Sequence, residues 1–190
     1  MSDIASPAVT PTTLNRPPFW AWPLAILLGF PIGGLIADLA VGPVDSLGAA
    51  LAGGLIAGAV IGAAQWIALR SLVPWLWIAA TSVGMAVGLA VGAGVVDFGI
   101  SRSDLMLMGA VTGAGVGALQ ALVLARQRFS GVALWAAANP PAWALAWLVS
   151  SYVLSGNVKE QFTNFGASGA LLFALLTGPL LGLLFRRRER

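Results

Sequence analysis

Residues 54–70 read GLIAGAVIGAAQWIALR, a glycine ladder that ends in a glutamine and an arginine. Residues 109–126 read GAVTGAGVGALQALVLAR and repeat this pattern about 55 residues later. In both stretches glycines recur at intervals of four, so they share one face of a helix with 3.6 residues per turn. The corresponding ladders are Gly54, Gly58, Gly62 with Gln65, and Gly109, Gly113, Gly117 with Gln120.

A second small-residue ladder precedes each of these stretches and begins at a tryptophan. Its three copies are Trp22, Gly29, Gly33, Ala37; Trp77, Gly84, Gly88, Gly92; and Trp135, Ala142, Ala146, Ser150. The glutamine-bearing ladder also has a third, degraded copy in Ala170, Ala174 and Gly178, where Leu181 replaces the glutamine. The pattern predicts three helical hairpins, and the three tryptophans are expected near one membrane–water boundary.

Composition places these helices in a membrane. The chain has 190 residues, of which 58% are hydrophobic and 9% are charged, against about a quarter charged in soluble domains. An apolar run of about 20 residues spans the hydrocarbon core as a helix. Six such runs are present: 19–41, 47–69, 75–96, 105–125, 133–154 and 166–185.

The predicted fold is therefore an all-α membrane protein of six transmembrane helices. Because each repeat contains two spans, the repeats (residues 19–69, 75–125 and 133–185) enter the membrane in the same sense. Such parallel repeats are related by an axis along the membrane normal, which predicts pseudo-threefold symmetry. Residues 1–18 are polar and rich in proline, serine and threonine, as in disordered tails. Residues 186–190 form a short basic tail.

The distribution of basic residues predicts the orientation, since cytoplasmic loops are rich in lysine and arginine. The opposite side would carry only Arg102 and Lys159. The side of the N-terminus would carry Arg16, Arg70, Arg126, Arg128, Arg186, Arg187, Arg188 and Arg190. We expect a multi-pass protein of the bacterial inner (plasma) membrane with both termini cytoplasmic. The basic residues flank membrane spans, so we expect contacts with lipid headgroups and none with nucleic acid.

Four polar residues are expected at one depth inside the membrane. Gln65 and Gln120 are repeat equivalents, and so are Thr81 and Asn139, each four residues after its tryptophan. A rise of ~1.5 Å per residue places all four roughly 6–9 Å inside the cytoplasmic boundary. Polar side chains in apolar surroundings need hydrogen-bond partners, so we expect a shared polar layer. It would serve either as structural hydrogen bonding or as a polar constriction or headgroup site.

Two further features concern single helices. Pro140 and Pro141 follow Asn139, and two consecutive prolines remove backbone donors, which predicts a break or kink in the fifth helix. Asp38 is the one charged residue inside a predicted span. It falls near the outer end of the first helix and is either an interfacial acid or part of an outer vestibule.

Nothing in the sequence indicates catalysis. The chain has no histidine and no cysteine, which removes the usual general base, the usual metal ligand and any thiolate nucleophile. No span contains a pair of carboxylates. We expect no catalytic residue, no metal site and no enzyme activity, and no residue pattern identifies a cofactor.

Residues 54–70 and their echo at 109–126 resemble the Gly-x3-Gly-x2-Gln-Trp hairpin repeats of small, uncharacterised Gly-rich multi-pass membrane proteins of bacteria. That resemblance implies the multi-pass architecture and no activity.

We expect an accessory or structural subunit of a larger membrane assembly, with a protein partner or further copies of the chain. The alternative is a small transporter, channel or substrate-binding membrane component, favoured by the repeat arrangement and the prolines of the fifth helix.

Overall fold

The computed structural model describes residues 17–153 and 167–184, and within them the chain forms six α-helices. The helices are α1 (Ala21–Val41), α2 (Leu47–Leu69), α3 (Leu76–Val95), α4 (Arg102–Arg126), α5 (Val132–Val153) and α6 (Ala167–Leu184). They coincide with the six predicted apolar runs to within three residues at each boundary. Residues 17 and 18 are described, whereas the rest of the predicted N-terminal tail and the basic tail lie outside the described residues.

Five helices, α1 to α5, are long and apolar enough to cross a membrane, which confirms the prediction of a multi-pass helical membrane protein. The sixth, α6, is apolar and has 18 residues. Large apolar side chains point outward on all six helices, for example Leu28 on α1, Val87 on α3 and Leu175 on α6. Such a surface is far more apolar than that of a soluble monomer and suits contact with lipid.

The helices are arranged as a closed ring. Each helix packs against the helices before and after it in sequence, and α1 also packs against α6. Because the connections from α1 to α5 are short, successive helices run antiparallel. Helix α6 is antiparallel to α5, because Gly169 at its start lies against Ser150 near the end of α5 and Leu184 at its end lies against Gly131, just before α5. Helices α1, α3 and α5 therefore begin at the end of the bundle where α2, α4 and α6 finish. We call this the near end and the opposite one the far end.

Local sequence signals set the helix boundaries at the far end. Ser46 caps α2 by accepting a hydrogen bond from the Ala49 N–H at 3.2 Å. Ser101 and Asp104 form a capping box at the start of α4, each side chain accepting from the other residue's backbone N–H. These bonds satisfy backbone donors that a helix start leaves without an intrahelical partner.

Glycine ladders bring neighbouring helices into backbone contact. A Cβ added at Gly58 on α2 would lie 2.7 Å from the Cα of Ser82 on α3. One added at Gly88 on α3 would lie 2.7 Å from the Cα of Thr112 on α4. At Gly113 on α4 the added atom would lie 2.7 Å from the Cβ of Trp143 on α5. Close approach of this kind provides the van der Waals contact that holds helices together in lipid.

Candidate functional site: a buried polar layer at the near end

Three of the four predicted polar residues form one hydrogen-bonded group. Gln120 on α4 donates from Nε2 to Oε1 of Gln65 on α2, at 3.0 Å, and to Oγ1 of Thr81 on α3, at 2.9 Å. Thr81 in turn donates to the backbone carbonyl of Trp77, one turn earlier in α3, at 2.9 Å. All three polar side chains are buried. The group joins three helices that belong to two predicted repeats.

Two tryptophans complete the polar layer from the neighbouring helices. Trp77 donates from Nε1 to Oε1 of Gln65 at 3.0 Å, and Trp135 donates from Nε1 to Oε1 of Gln120 at 3.1 Å. The two bonds join repeat-equivalent pairs, each across the boundary between one hairpin and the next. The Gln65 oxygen thereby accepts two hydrogen bonds and the Gln120 amide nitrogen donates two, which saturates both atoms.

At the third boundary, between α6 and α1, a threonine takes the place of the missing glutamine. Trp22 donates from Nε1 to Oγ1 of Thr177 on α6 at 2.9 Å, and Thr177 donates to the carbonyl of Phe173 at 2.6 Å. Leu181 occupies the glutamine position, and Thr177 lies one turn before it. We did not predict Thr177 from the sequence. The sequence signal that could have found it is a hydroxyl residue one helical turn before position 181, where the other two repeats carry the acceptor glutamine.

The three repeat tryptophans lie in the first turns of α1, α3 and α5, at the near end, and their side chains point into the ring of helices. Trp22 is 5% exposed, and Trp77 and Trp135 are fully buried. Trp135 contacts both other rings, with centroid distances of 6.1 Å to Trp22 and 6.2 Å to Trp77. Their depth in the membrane does not determine which way the rings point. The rings turn inward because the acceptors of their indole N–H groups lie on the neighbouring helices.

Asn139 is at the predicted depth but does not join the bonds among Gln65, Thr81 and Gln120. Its Nδ2 donates to the carbonyl of Trp135 in its own helix, at 2.9 Å. Its Oδ1 is buried and has no hydrogen-bond partner among the described residues. The side chain packs against α4, where a Cβ added at Gly117 would lie 2.6 Å from the Asn139 Cβ.

Helix α5 continues through Pro140 and Pro141 from Val132 to Val153, so the prolines do not interrupt it, and the kink expected there stays a prediction. A proline ring fixes φ near −65°, which is close to the helical value. The missing N–H groups leave only the carbonyls of residues 136 and 137 without their usual intrahelical donors. Close packing against α4 holds α5 in place at this level.

Asp38 lies at the far end, in the last turn of α1, where it is half-buried. Its backbone carbonyl accepts a hydrogen bond from the Gly42 N–H at 2.8 Å. Two grooves that the structure shows are both at the near end, next to Pro17 and Pro18, and neither is lined by Asp38. The outer vestibule at Asp38 therefore stays a prediction.

Aromatic side chains fill the ring beyond the polar layer. Phe30 of α1, Trp143 of α5 and Phe173 of α6 are buried against one another, with centroid distances of 5.2 Å, 5.3 Å and 5.6 Å. Together with Trp22, Trp77 and Trp135 they form the aromatic part of the buried interior. In the described part of the chain, no group of three histidine, cysteine, aspartate or glutamate residues is placed to hold a metal ion.

Two grooves open beside the start of α1. The α1–α6 groove has a volume of about 470 Å³ and is lined by Pro17, Pro18, Phe19, Trp22, Pro23, Leu69, Ala174, Leu175, Gly178, Pro179, Leu181 and Gly182. The α1–α2 groove has a volume of about 510 Å³ and is lined by Pro17, Pro18, Trp20, Ala21, Leu24, Ala25, Leu28, Ala64, Ile67, Ala68, Arg70 and Ser71.

Comparison with known proteins identifies no relative: no family model matches the chain, and no curated protein or solved structure matches it either.

Proposed function

We propose that the chain is a non-catalytic integral membrane protein that serves as an accessory or structural subunit of a larger membrane assembly. The observation that carries this proposal is the filled interior of the ring. Among the described residues, the amides of Gln65 and Gln120 bond to each other and to the indoles of Trp77 and Trp135, and buried aromatic rings pack together beside them. This arrangement leaves these groups little capacity to bind a substrate.

The proposed architecture has six membrane spans in three parallel hairpins with pseudo-threefold symmetry. It is supported by the repeated bond from a tryptophan to the preceding hairpin, made by Trp77, Trp135 and, with a changed acceptor, Trp22. With 18 residues, α6 is about 27 Å long at ~1.5 Å per residue, close to the ~30 Å of a hydrocarbon core. We include α6 as the sixth span for this reason.

We place the near end on the cytoplasmic side of a bacterial inner membrane. Arg70, Arg126 and Arg128 all lie at the near end and are exposed, whereas Arg102 is the basic residue at the described far end. The positive-inside tendency favours this orientation, and with it both termini are cytoplasmic.

A partner for this subunit would contact the outer apolar faces of the helices, because the interior of the ring is occupied. The partner is either another protein or further copies of the chain.

Purification from native membranes in a mild detergent, followed by mass spectrometry of everything retained, tests the proposal. We expect a protein, or a second copy, at fixed stoichiometry. Recovery of a solitary chain under conditions that preserve other complexes of the same membrane would contradict it.

The second candidate function is a small transporter, channel or substrate-binding membrane component. The observation that favours it is the α1–α6 groove. Among the described glycines, those at this boundary between hairpins are loosely packed, whereas those at the α2–α3 and α4–α5 boundaries are in close contact. A Cβ added at Gly178 would meet only the Trp22 side chain, at 3.7 Å, and one at Gly182 would meet nothing within 4 Å. A small molecule held by an isolated chain in the same purification would favour this candidate.

A further inference from the structure

The α1–α2 groove combines an apolar wall with a cationic end. Its walls include Leu24, Leu28 and Ile67, which are all exposed on the outer surface of the ring. From Leu28 to the start of α1 the groove covers about one and a half to two helical turns, roughly 10 Å at ~1.5 Å per residue. It therefore runs from the membrane boundary at the near end into the hydrocarbon region.

Short side chains on α2 create this groove. Ala64 and Ala68 line it, and both are only half-buried. The equivalent positions in the second repeat, 55 residues later, are Leu119 and Val123, which are half-buried and buried. The first hairpin has alanine where the second has leucine and valine. Apolar space therefore stays open on the first hairpin, whereas side chains fill the equivalent space on the second.

The cationic end is formed by Arg70, which follows α2 as its C-cap residue, and by the neighbouring hydroxyl of Ser71. Both side chains are exposed, and none of the described residues that line the groove is acidic. Helix α1 begins at the same place, and its N-cap residue, Trp20, makes no side-chain capping bond. The full charge of Arg70 outweighs the roughly half charge that the α2 C-terminus contributes, and the α1 N-terminus adds positive potential.

We propose that the α1–α2 groove is a binding site for an anionic phospholipid. The phosphate lies at Arg70 and Ser71, and the upper part of one acyl chain lies against Ala64, Ala68 and Leu28. An amphiphile with an anionic head fits both halves of the groove, since a free anion would leave the apolar wall uncovered. The exposed indole of Trp20 borders the groove at the headgroup level that tryptophan favours. This inference is independent of the proposed subunit role.

The first test is native mass spectrometry of the purified full chain in detergent, titrated with dioleoyl-phosphatidylglycerol or with dioleoyl-phosphatidylcholine. We expect tighter binding of the anionic lipid. R70Q should weaken phosphatidylglycerol binding by about fivefold, the factor that one basic residue near an anionic surface contributes, and leave phosphatidylcholine binding unchanged. R126Q is the matched control, since Arg126 ends α4 at the same end of the bundle and is exposed. It should change either affinity by less than twofold.

The second test fills the groove. A68V introduces the residue that the second repeat carries at this position, and A68L fills more of the space. Both variants should weaken binding of both lipids, while their melting temperatures in detergent stay within a few degrees of the wild-type value. If one of the two fails to fold, the other carries the test.

Three results would overturn the proposal. One is equal affinity of the wild-type chain for the two lipids. Another is an equal loss for R70Q and R126Q, which would show a general effect of surface charge. The third is a chain dimer that A68V and A68L abolish without changing lipid binding, because the groove would then be an interface between copies.

Discussion

Replacing Gln120 by leucine removes the residue that joins the most helices in the polar layer. The wild-type side chain makes three hydrogen bonds, to Gln65, to Thr81 and from Trp135, at 2.9 to 3.1 Å. Leucine matches glutamine in helix propensity and stands at the equivalent position, 181, of the third repeat. Q120L therefore tests the hydrogen bonds with little change in helix propensity.

The expected cost follows from those bonds. Side-chain hydrogen bonds between membrane helices average about 0.6 kcal/mol, so three of them contribute about 2 kcal/mol. The mutation also leaves the buried Trp135 N–H without an acceptor, at about 1–3 kcal/mol. Packing of the leucine offsets about 1 kcal/mol of this. We expect Q120L to lower the free energy of unfolding by about 2–4 kcal/mol.

The assay is equilibrium unfolding in mixed micelles of dodecyl maltoside and SDS, followed by far-UV circular dichroism. W135F removes the donor of the same bond, so Q120L and W135F together should cost at least about 1 kcal/mol less than the sum of the single variants. Q127L is the control, because Gln127 lies outside the layer at the end of α4, and should change stability by less than about 0.5 kcal/mol. A Q120L chain as stable as the wild type, or strict additivity with W135F, would show that the hydrogen bonds of Gln120 do not stabilise the ring.

Three further predictions concern other contacts of the ring and use the same unfolding assay. G58A should destabilise the chain by at least about 1 kcal/mol, because the added Cβ would lie 2.7 Å from the backbone of α3. The control G182A has nothing within 4 Å of its added Cβ and should be neutral or slightly stabilising. Equal effects of the two variants would contradict close packing at Gly58. S101A should cost about 1 kcal/mol through loss of the α4 capping box, and a cost below about 0.3 kcal/mol would show that the cap contributes little. W22F should cost about 1–2 kcal/mol because it removes the 2.9 Å bond to the Thr177 hydroxyl, which keeps only the bond it donates to Phe173, and it should cost less in a chain that already carries T177V.

The sequence was sufficient to locate the helices. Leu47 and Leu69, the first and last residues of α2, were predicted without error because Ser46 and Arg70 flank an uninterrupted apolar run. The start of α4 was predicted three residues late, at Leu105 and not at Arg102. The apolar run leaves out the first turn of the helix, which is polar, whereas the capping box shows that the helix already begins after Ser101.

The candidate site was only partly predictable, since spacing gives the depth of a residue in the membrane but not the direction of its side chain. The depth in the membrane was enough to group Gln65 with Gln120, because polar side chains in lipid need hydrogen-bond partners and find them at the same depth. It could not tell that Trp77 and Trp135 turn inward as donors. It also could not reveal that Thr177 replaces the missing glutamine, because the acceptor has moved by one helical turn.

The most direct test of the six-span ring is cysteine accessibility, for which the chain offers a background without native cysteines. Single variants S46C, R102C, N157C, S71C and R190C are expressed in bacterial cells and treated with a membrane-impermeant maleimide. We expect labelling of the first three in intact cells, and labelling of S71C and R190C only after the membrane is permeabilised. Labelling of R190C in intact cells would show that α6 does not cross the membrane, and labelling of S46C or R102C only after permeabilisation would contradict the orientation.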